Sequence, residues 1–148
     1  MGYNYYGWKE SGQVRSIDPE YRGIGTPRDL YDLLVDIWCA ETCAPRLRKN
    51  WSKENKTLGQ CSITAFLVQD IFGGEVYAMR TGNGLHCYNR IQDAVFDLTS
   101  EQFGEKAAEL VYNCELLQDR ESADHFQKDE KRARYVYLSE QLKRKLRA

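Results

Sequence analysis

Gly59-Gln60-Cys61-Ser62-Ile63-Thr64-Ala65-Phe66-Leu67-Val68-Gln69-Asp70-Ile71-Phe72-Gly73-Gly74 reads as a helix that opens at a cysteine and closes at a glycine pair. Gly59 breaks the preceding chain, and Gly73-Gly74 supplies the left-handed stop that helix C-termini favour. The apolar residues Ile63, Ala65, Phe66, Leu67, Val68, Ile71 and Phe72 cover nearly the whole circumference. A helix apolar on all sides is a buried helix. Cys61 therefore sits where a central helix begins. The unsatisfied N–H groups and the helix dipole there favour a thiolate and lower its pKa. Cysteine hydrolases place their nucleophile in this way.

Working outward toward the C-terminus, Glu75 to Arg80 reads as a strand and Thr81-Gly82-Asn83-Gly84 as a turn. Leu85 to Asn89 is a second strand, Arg90 to Asp93 a tight turn, and Ala94 to Thr99 a third strand. An antiparallel meander thus follows the buried helix. With Arg90 to Asp93 joining Asn89 to Ala94, His86 falls directly opposite Asp97. Cross-strand neighbours have Cβ atoms roughly 5 Å apart, so a carboxylate there would orient the imidazole. The roles follow: Cys61 as nucleophile, His86 as general base and acid, Asp97 as orienter. Gln60 and the backbone N–H of Cys61 are candidates for stabilising an oxyanion. Asn89 lies near His86 and competes with Asp97 as third member. His125 lies in a polar, weakly structured stretch and reads as an exposed histidine.

Toward the N-terminus, residues 46–58 are basic and polar, with Trp51 as an apolar anchor, and read as a loop. Before them Thr26-Pro27 starts a helix, with Thr as N-cap, Pro at the first helical position and Asp29 at the positive end of the dipole. Leu30, Leu33, Leu34, Ile37 and Trp38 keep a helical period, and Pro45 marks the expected end. Residues 1–25 read as an irregular arm whose aromatics Tyr3, Tyr5, Tyr6 and Trp8 pack back onto the domain. At the other end, Thr99 or Ser100 caps a short helical turn through Phe103. Ala107 to Leu117 suits a helix or a strand, and Asp129 to Leu146 is a final helix.

The chain has 148 residues, which suits one domain spanning 1–148, with an α+β core over 26–148. A net charge of −1 gives no field that would draw nucleic acid or an acidic membrane surface. No apolar run approaches the roughly 20 residues of a membrane helix. Met1 to Trp8 has neither a basic start nor an apolar core, so no signal peptide is expected and the location is read as cytoplasmic. Five cysteines, an odd count, then read as free thiols in a reducing compartment. Cys39, Cys43 and Cys114 read as small buried thiols, the first two one helical turn apart.

The pattern Gly59-Gln60-Cys61, Thr64-Ala65, Val68-Gln69-Asp70, Gly73-Gly74, His86-Cys87-Tyr88-Asn89, Asp97-Leu98-Thr99 and Gln102-Phe103 resembles the YunG-like family of small bacterial proteins. The resemblance runs from about Trp51 to Phe103 and continues weakly through Arg134-Tyr135 and Leu138. It implies a compact relative of the papain and transglutaminase-type cysteine fold, in which a central helix carries the cysteine and neighbouring strands carry the histidine and its acidic or amide partner. Carried over by position, the implied triad is Cys61, His86 and Asp97. The resemblance implies no substrate.

The fold expected is α+β, papain-like, with the cysteine helix packed on a small antiparallel sheet. The leading function is a cysteine-dependent hydrolase or acyl transferase acting on an amide or thioester, without a cofactor. The alternative is a non-catalytic binding or regulatory module on the same scaffold. A metal site from Cys61, His86 and Cys87 is disfavoured, because adjacent strand residues point to opposite faces.

Overall fold

A computed structural model describes residues 2–148. Helix α3, Cys61–Phe72, lies at its centre. Ile63, Phe66, Leu67, Val68 and Ile71 are fully buried, as a helix apolar on every side requires. Gly73 closes it with φ of 85°, a conformation that favours glycine.

The chain then forms strands β1 (Glu75–Thr81), β2 (Gly84–Ile91) and β3 (Ala94–Phe96), and later β4 (Leu116–Leu117). All neighbours are antiparallel, in the spatial order β3-β2-β1-β4. The expected meander is present, and the polar 107–117 stretch supplies the fourth strand. The β2–β3 register differs from the expected one. Asn89 pairs with Phe96 and Ile91 with Ala94, so Gln92 and Asp93 alone make the turn, Gln92 at a φ of 56°. The pairing is displaced by two residues. Because side chains alternate with period two, His86 and Asp97 still share a face.

The two faces of the sheet have different work. Val76, Ala78 and Cys87 pack with Ala65 and Phe66 of α3 and with Phe126. On the opposite face, Phe103 meets the His86 ring edge-on at 4.8 Å and Tyr112 meets Tyr88 at 4.8 Å. Those two aromatics come from the segment after β3: 3-10 turns over Ser100–Glu109, broken at Gly104, followed by extended chain. Helix α4, Asp129–Arg147, contributes Leu138 and Leu142 to the main core beside α3.

Helix α2, Pro27–Leu34, begins where Thr26-Pro27 predicts, and the Asp29 carboxylate accepts from the N–H groups of Gly25 and Thr26. It ends eleven residues before Pro45. The Lys56 ammonium takes the Val35 carbonyl, and Cys39 is extended at φ −152°. Trp38 is buried through a different contact, its indole N–H donating to Thr64 Oγ1 at 3.0 Å. Cys39 and Cys43 therefore flank a 3-10 turn, Ala40–Thr42, and do not share a helix face. Residues 46–58 also hold 3-10 structure, within Pro45–Asn50.

The N-terminal segment, irregular over most of its length, holds two short helical pieces: helix α1, Trp8–Ser11, and a 3-10 turn, Pro19–Tyr21. Tyr5, Val14, Tyr21 and Ile24 belong to the main core. Tyr6 forms a β-bridge with Asp97, the Asp97 N–H donating to the Tyr6 carbonyl at 3.0 Å.

Candidate active site

Cys61 is the first residue of α3, partly exposed, and its sulfur lies 3.8 Å from the Leu85 carbonyl. That contact locates it against β2. Strand β3 pairs only with Asn89–Ile91, so the outer edge of β2 around Leu85–Cys87 is not covered by β3. The helix start approaches there. His86 and Cys87 leave β2 on opposite faces, yet both interact with the sulfur beside that edge. The three side chains are not gathered as a metal would need: among the described residues no group of three His, Cys, Asp or Glu side chains is arranged to hold a metal.

His86 is buried, and its Nε2 lies 2.6 Å from Asp97 Oδ2. This leaves Nδ1 as the ring nitrogen available to the sulfur. Asp97 is itself fixed on every side. Its Oδ1 accepts from the backbone N–H and the hydroxyl of Thr99, and its Oδ2 also accepts from the Tyr112 hydroxyl at 2.7 Å. The Tyr112 ring stacks on Tyr6 with centroids 3.7 Å apart. Burial and then the Asp97 charge raise the Tyr112 pKa, so it remains a proton donor.

The electrostatics favour an ion pair. Burial works against a charged His86, but the Asp97 carboxylate and the nearby Cys61 outweigh it and push the imidazole up to about 10. The Cys61 thiol is held well below its ordinary value, first by a hydrogen bond from Cys87 and then, against burial, by His86. Cys87 moves the other way for the same reason: the anionic sulfur beside it favours keeping its proton. These directions favour a thiolate at Cys61 beside a charged His86, with the Cys87 thiol keeping its proton.

The remaining candidates lie elsewhere. Gln60 is buried, and its amide NH₂ donates to the Cys39 carbonyl at 3.1 Å. Its Oε1 has no partner among the described residues, and an acceptor cannot stabilise an oxyanion. Asn89 is on the α3-facing side of β2 and donates to the Ala65 carbonyl at 2.9 Å. It is a strut between strand and helix, and Asp97 is the side chain that meets His86.

His125 is a second correction: it is buried, with 2% exposure. Its Nε2 lies 2.7 Å from Gln118 Oε1 and its Nδ1 lies 3.2 Å from Lys131 Nζ. Burial and then the Lys131 charge lower its pKa to about 4, so the ring is neutral, donating from Nε2 and accepting at Nδ1. Both histidines line a cavity of about 480 Å³. Cys61, Cys87 and Phe103 line it with His86, and Lys128, Lys131 and Arg134 line it with His125. Nothing in the local sequence around His125 or Tyr112 marks them, since both come to the site from distant segments.

The family model described as YunG protein matches residues 26–147. The chain belongs to the YunG protein family. A curated member, "Uncharacterized protein YunG" of Bacillus subtilis (strain 168), is 45% identical over 53 residues. Those residues are 36% of this chain and 46% of that relative, so the match spans about half the length of the curated YunG protein. No solved structure matches this YunG family chain. The family match leaves out residues 1–25, and with them Tyr6, which braces Asp97 from outside it.

Proposed function

We propose that this protein is a cysteine-dependent hydrolase or acyl transferase that attacks an amide or thioester carbonyl, with Cys61, His86 and Asp97 in the roles of a papain-like triad. The observation that carries the reading is His86, held by Asp97 at 2.6 Å through Nε2 while its other side serves a cysteine at the start of a buried helix. A loose cysteine and histidine would not need a carboxylate fixed by three further donors.

The steps balance as follows. The Cys61 thiolate forms a bond to the carbonyl carbon, and the carbonyl electrons move onto oxygen. Backbone N–H groups at the start of α3, which have no intrahelical acceptor, stabilise that oxyanion. The carbon–nitrogen or carbon–sulfur bond then breaks, and the leaving group takes the proton from His86 Nδ1. Water or an amine attacks the resulting thioester and gives its proton to His86, which regenerates the thiolate. Asp97 keeps the ring oriented and stabilises its positive charge throughout.

The test is capture of the acyl-enzyme. Activated amides and thioesters of varied acyl group are incubated with the protein, quenched in acid and read by intact mass. An added acyl mass that maps to Cys61 and vanishes in Cys61→Ser is the expected result. An unmodified chain across the panel, with a Cys61 no more reactive than free cysteine, would instead favour a binding module on the same scaffold.

A further inference from the structure

The cavity that Cys61 lines also carries a cation without a carboxylate. Lys131 sits in the first turn of α4 and is half-buried. Its ammonium donates to the Asp124 carbonyl at 2.6 Å and to His125 Nδ1 at 3.2 Å. An ammonium has three N–H donors, so one remains. Among the described residues no carboxylate lies within ion-pairing distance of it. A partly desolvated charge held this way is costly unless something pairs with it. The support beneath it is also specific. His125 accepts from Lys131 because Gln118 Oε1 takes the proton on the other ring nitrogen, and Phe66 packs edge-on against the ring at 4.9 Å. Arg46 and Lys128 line the same cavity, and neither is ion-paired among the described residues. The acidic side chains there are Asp124, which is exposed, and Glu130, which is engaged by Arg134.

We propose that Lys131, presented by His125 and the Asp124 carbonyl, reads a carboxylate on the substrate, so that the amide or thioester attacked by Cys61 belongs to an acid-bearing molecule. The substrate class rests on Cys61 being the nucleophile; the anion site does not. Within the cavity, the third ammonium hydrogen meets the carboxylate while the reacting carbonyl lies over the sulfur. Lys131 then discriminates between substrates and takes no part in bond making.

Two alkylating agents of matched shape test this. Iodoacetate carries a carboxylate where iodoacetamide carries a neutral amide, and with each the thiolate forms the carbon–sulfur bond and iodide leaves. The ratio of their rates at Cys61 cancels the thiolate fraction. Relative to the same ratio for glutathione, the wild-type protein should prefer iodoacetate by about tenfold, and Lys131→Met should remove most of that preference. Lys131→Gln, which keeps a donor for the Asp124 carbonyl, gives the same reading if the methionine variant does not fold. A preference that is absent in the wild type, or that survives loss of Lys131, overturns the proposal. If Cys61 resists both agents, the nucleophile reading fails by itself, and the anion site is then read from thermal unfolding in glutarate against chloride at equal ionic strength. Glutarate should raise the midpoint of the wild type and not of Lys131→Met. Equal glutarate shifts in the two proteins would overturn the anion site as well.

Discussion

At the scale of single residues, the site depends on one hydrogen-bonded line, from Tyr112 and Thr99 through Asp97 to His86 and Cys61. Limiting iodoacetamide at about pH 6 should label Cys61 before the other thiols, because an ordinary cysteine with a pKa near 8.5 is almost wholly protonated there. His86→Ala should slow that labelling by about tenfold or more. Asp97→Asn should be nearly as damaging. Its new NH₂ would confront either the His86 and Tyr112 donors or the two Thr99 donors, whichever way the amide turns. Peptide mapping of the alkylated protein checks all three, and indifference of Cys61 to both substitutions would remove the triad. His86 also makes stability depend on pH. A histidine whose folded pKa of about 10 stands above its unfolded value stabilises fully below about pH 6.5, and loses that contribution as pH rises through about 10. In a Cys61→Ser background, which removes the thiol's own titration and its share of the rise, urea unfolding should still show stability falling above about pH 7, on the strength of Asp97 alone. Adding His86→Asn should flatten that fall. Parallel curves for the two proteins would contradict the raised pKa.

At the scale of elements, α3 and its approach decide where the nucleophile lies. Gly59 holds a φ of +72°, and a Cβ there would fall 2.4 Å from Cys43 Sγ and 2.9 Å from the Ala44 nitrogen. Gly59→Ala should therefore cost about 2 kcal/mol or more in urea unfolding and slow Cys61 labelling. A loss under about 0.5 kcal/mol would mean that the chain entering α3 yields easily. This helix was also the most legible part of the sequence. Its apolar circumference, its glycines and its cysteine are local signals, and local signals survive folding. The strands were legible for the same reason, and the face shared by His86 and Asp97 survived a displaced register because a shift of two leaves the alternation intact. What could not be read came from distant partners. The α2 pattern runs on through Ile37 and Trp38, but Lys56 captures the Val35 carbonyl and the helix stops at Leu34. The polar surroundings of His125 suggest exposure, and only the packing of Phe66, Gln118 and Lys131 around it reveals a buried ring. The strand-face rule holds for Cys87, but nothing local shows that from its own face it acts on the Cys61 thiol.

At the scale of the whole molecule, the N-terminal segment is a structural part of the site. Tyr5 is fully buried, Tyr6 bonds to Asp97 and to Ser100, and Gly7 lies so close to β3 that a Cβ would fall 2.1 Å from the Val95 carbonyl. Removing residues 1–12 should lower the thermal midpoint by about 5 °C or more and slow Cys61 labelling, although the residues matched to the family stay intact. A shortened chain with unchanged melting and unchanged labelling would show that the strut to Asp97 is dispensable. The placement of this segment also bears on how the protein is handled in the laboratory. An affinity handle or fluorescent fusion joined ahead of Tyr3 lies two residues from a ring that must enter the core, and a bulky neighbour there would compete with its seating. The exposed Ala148 at the far end of α4 offers a point of attachment that disturbs neither the ring nor the strut.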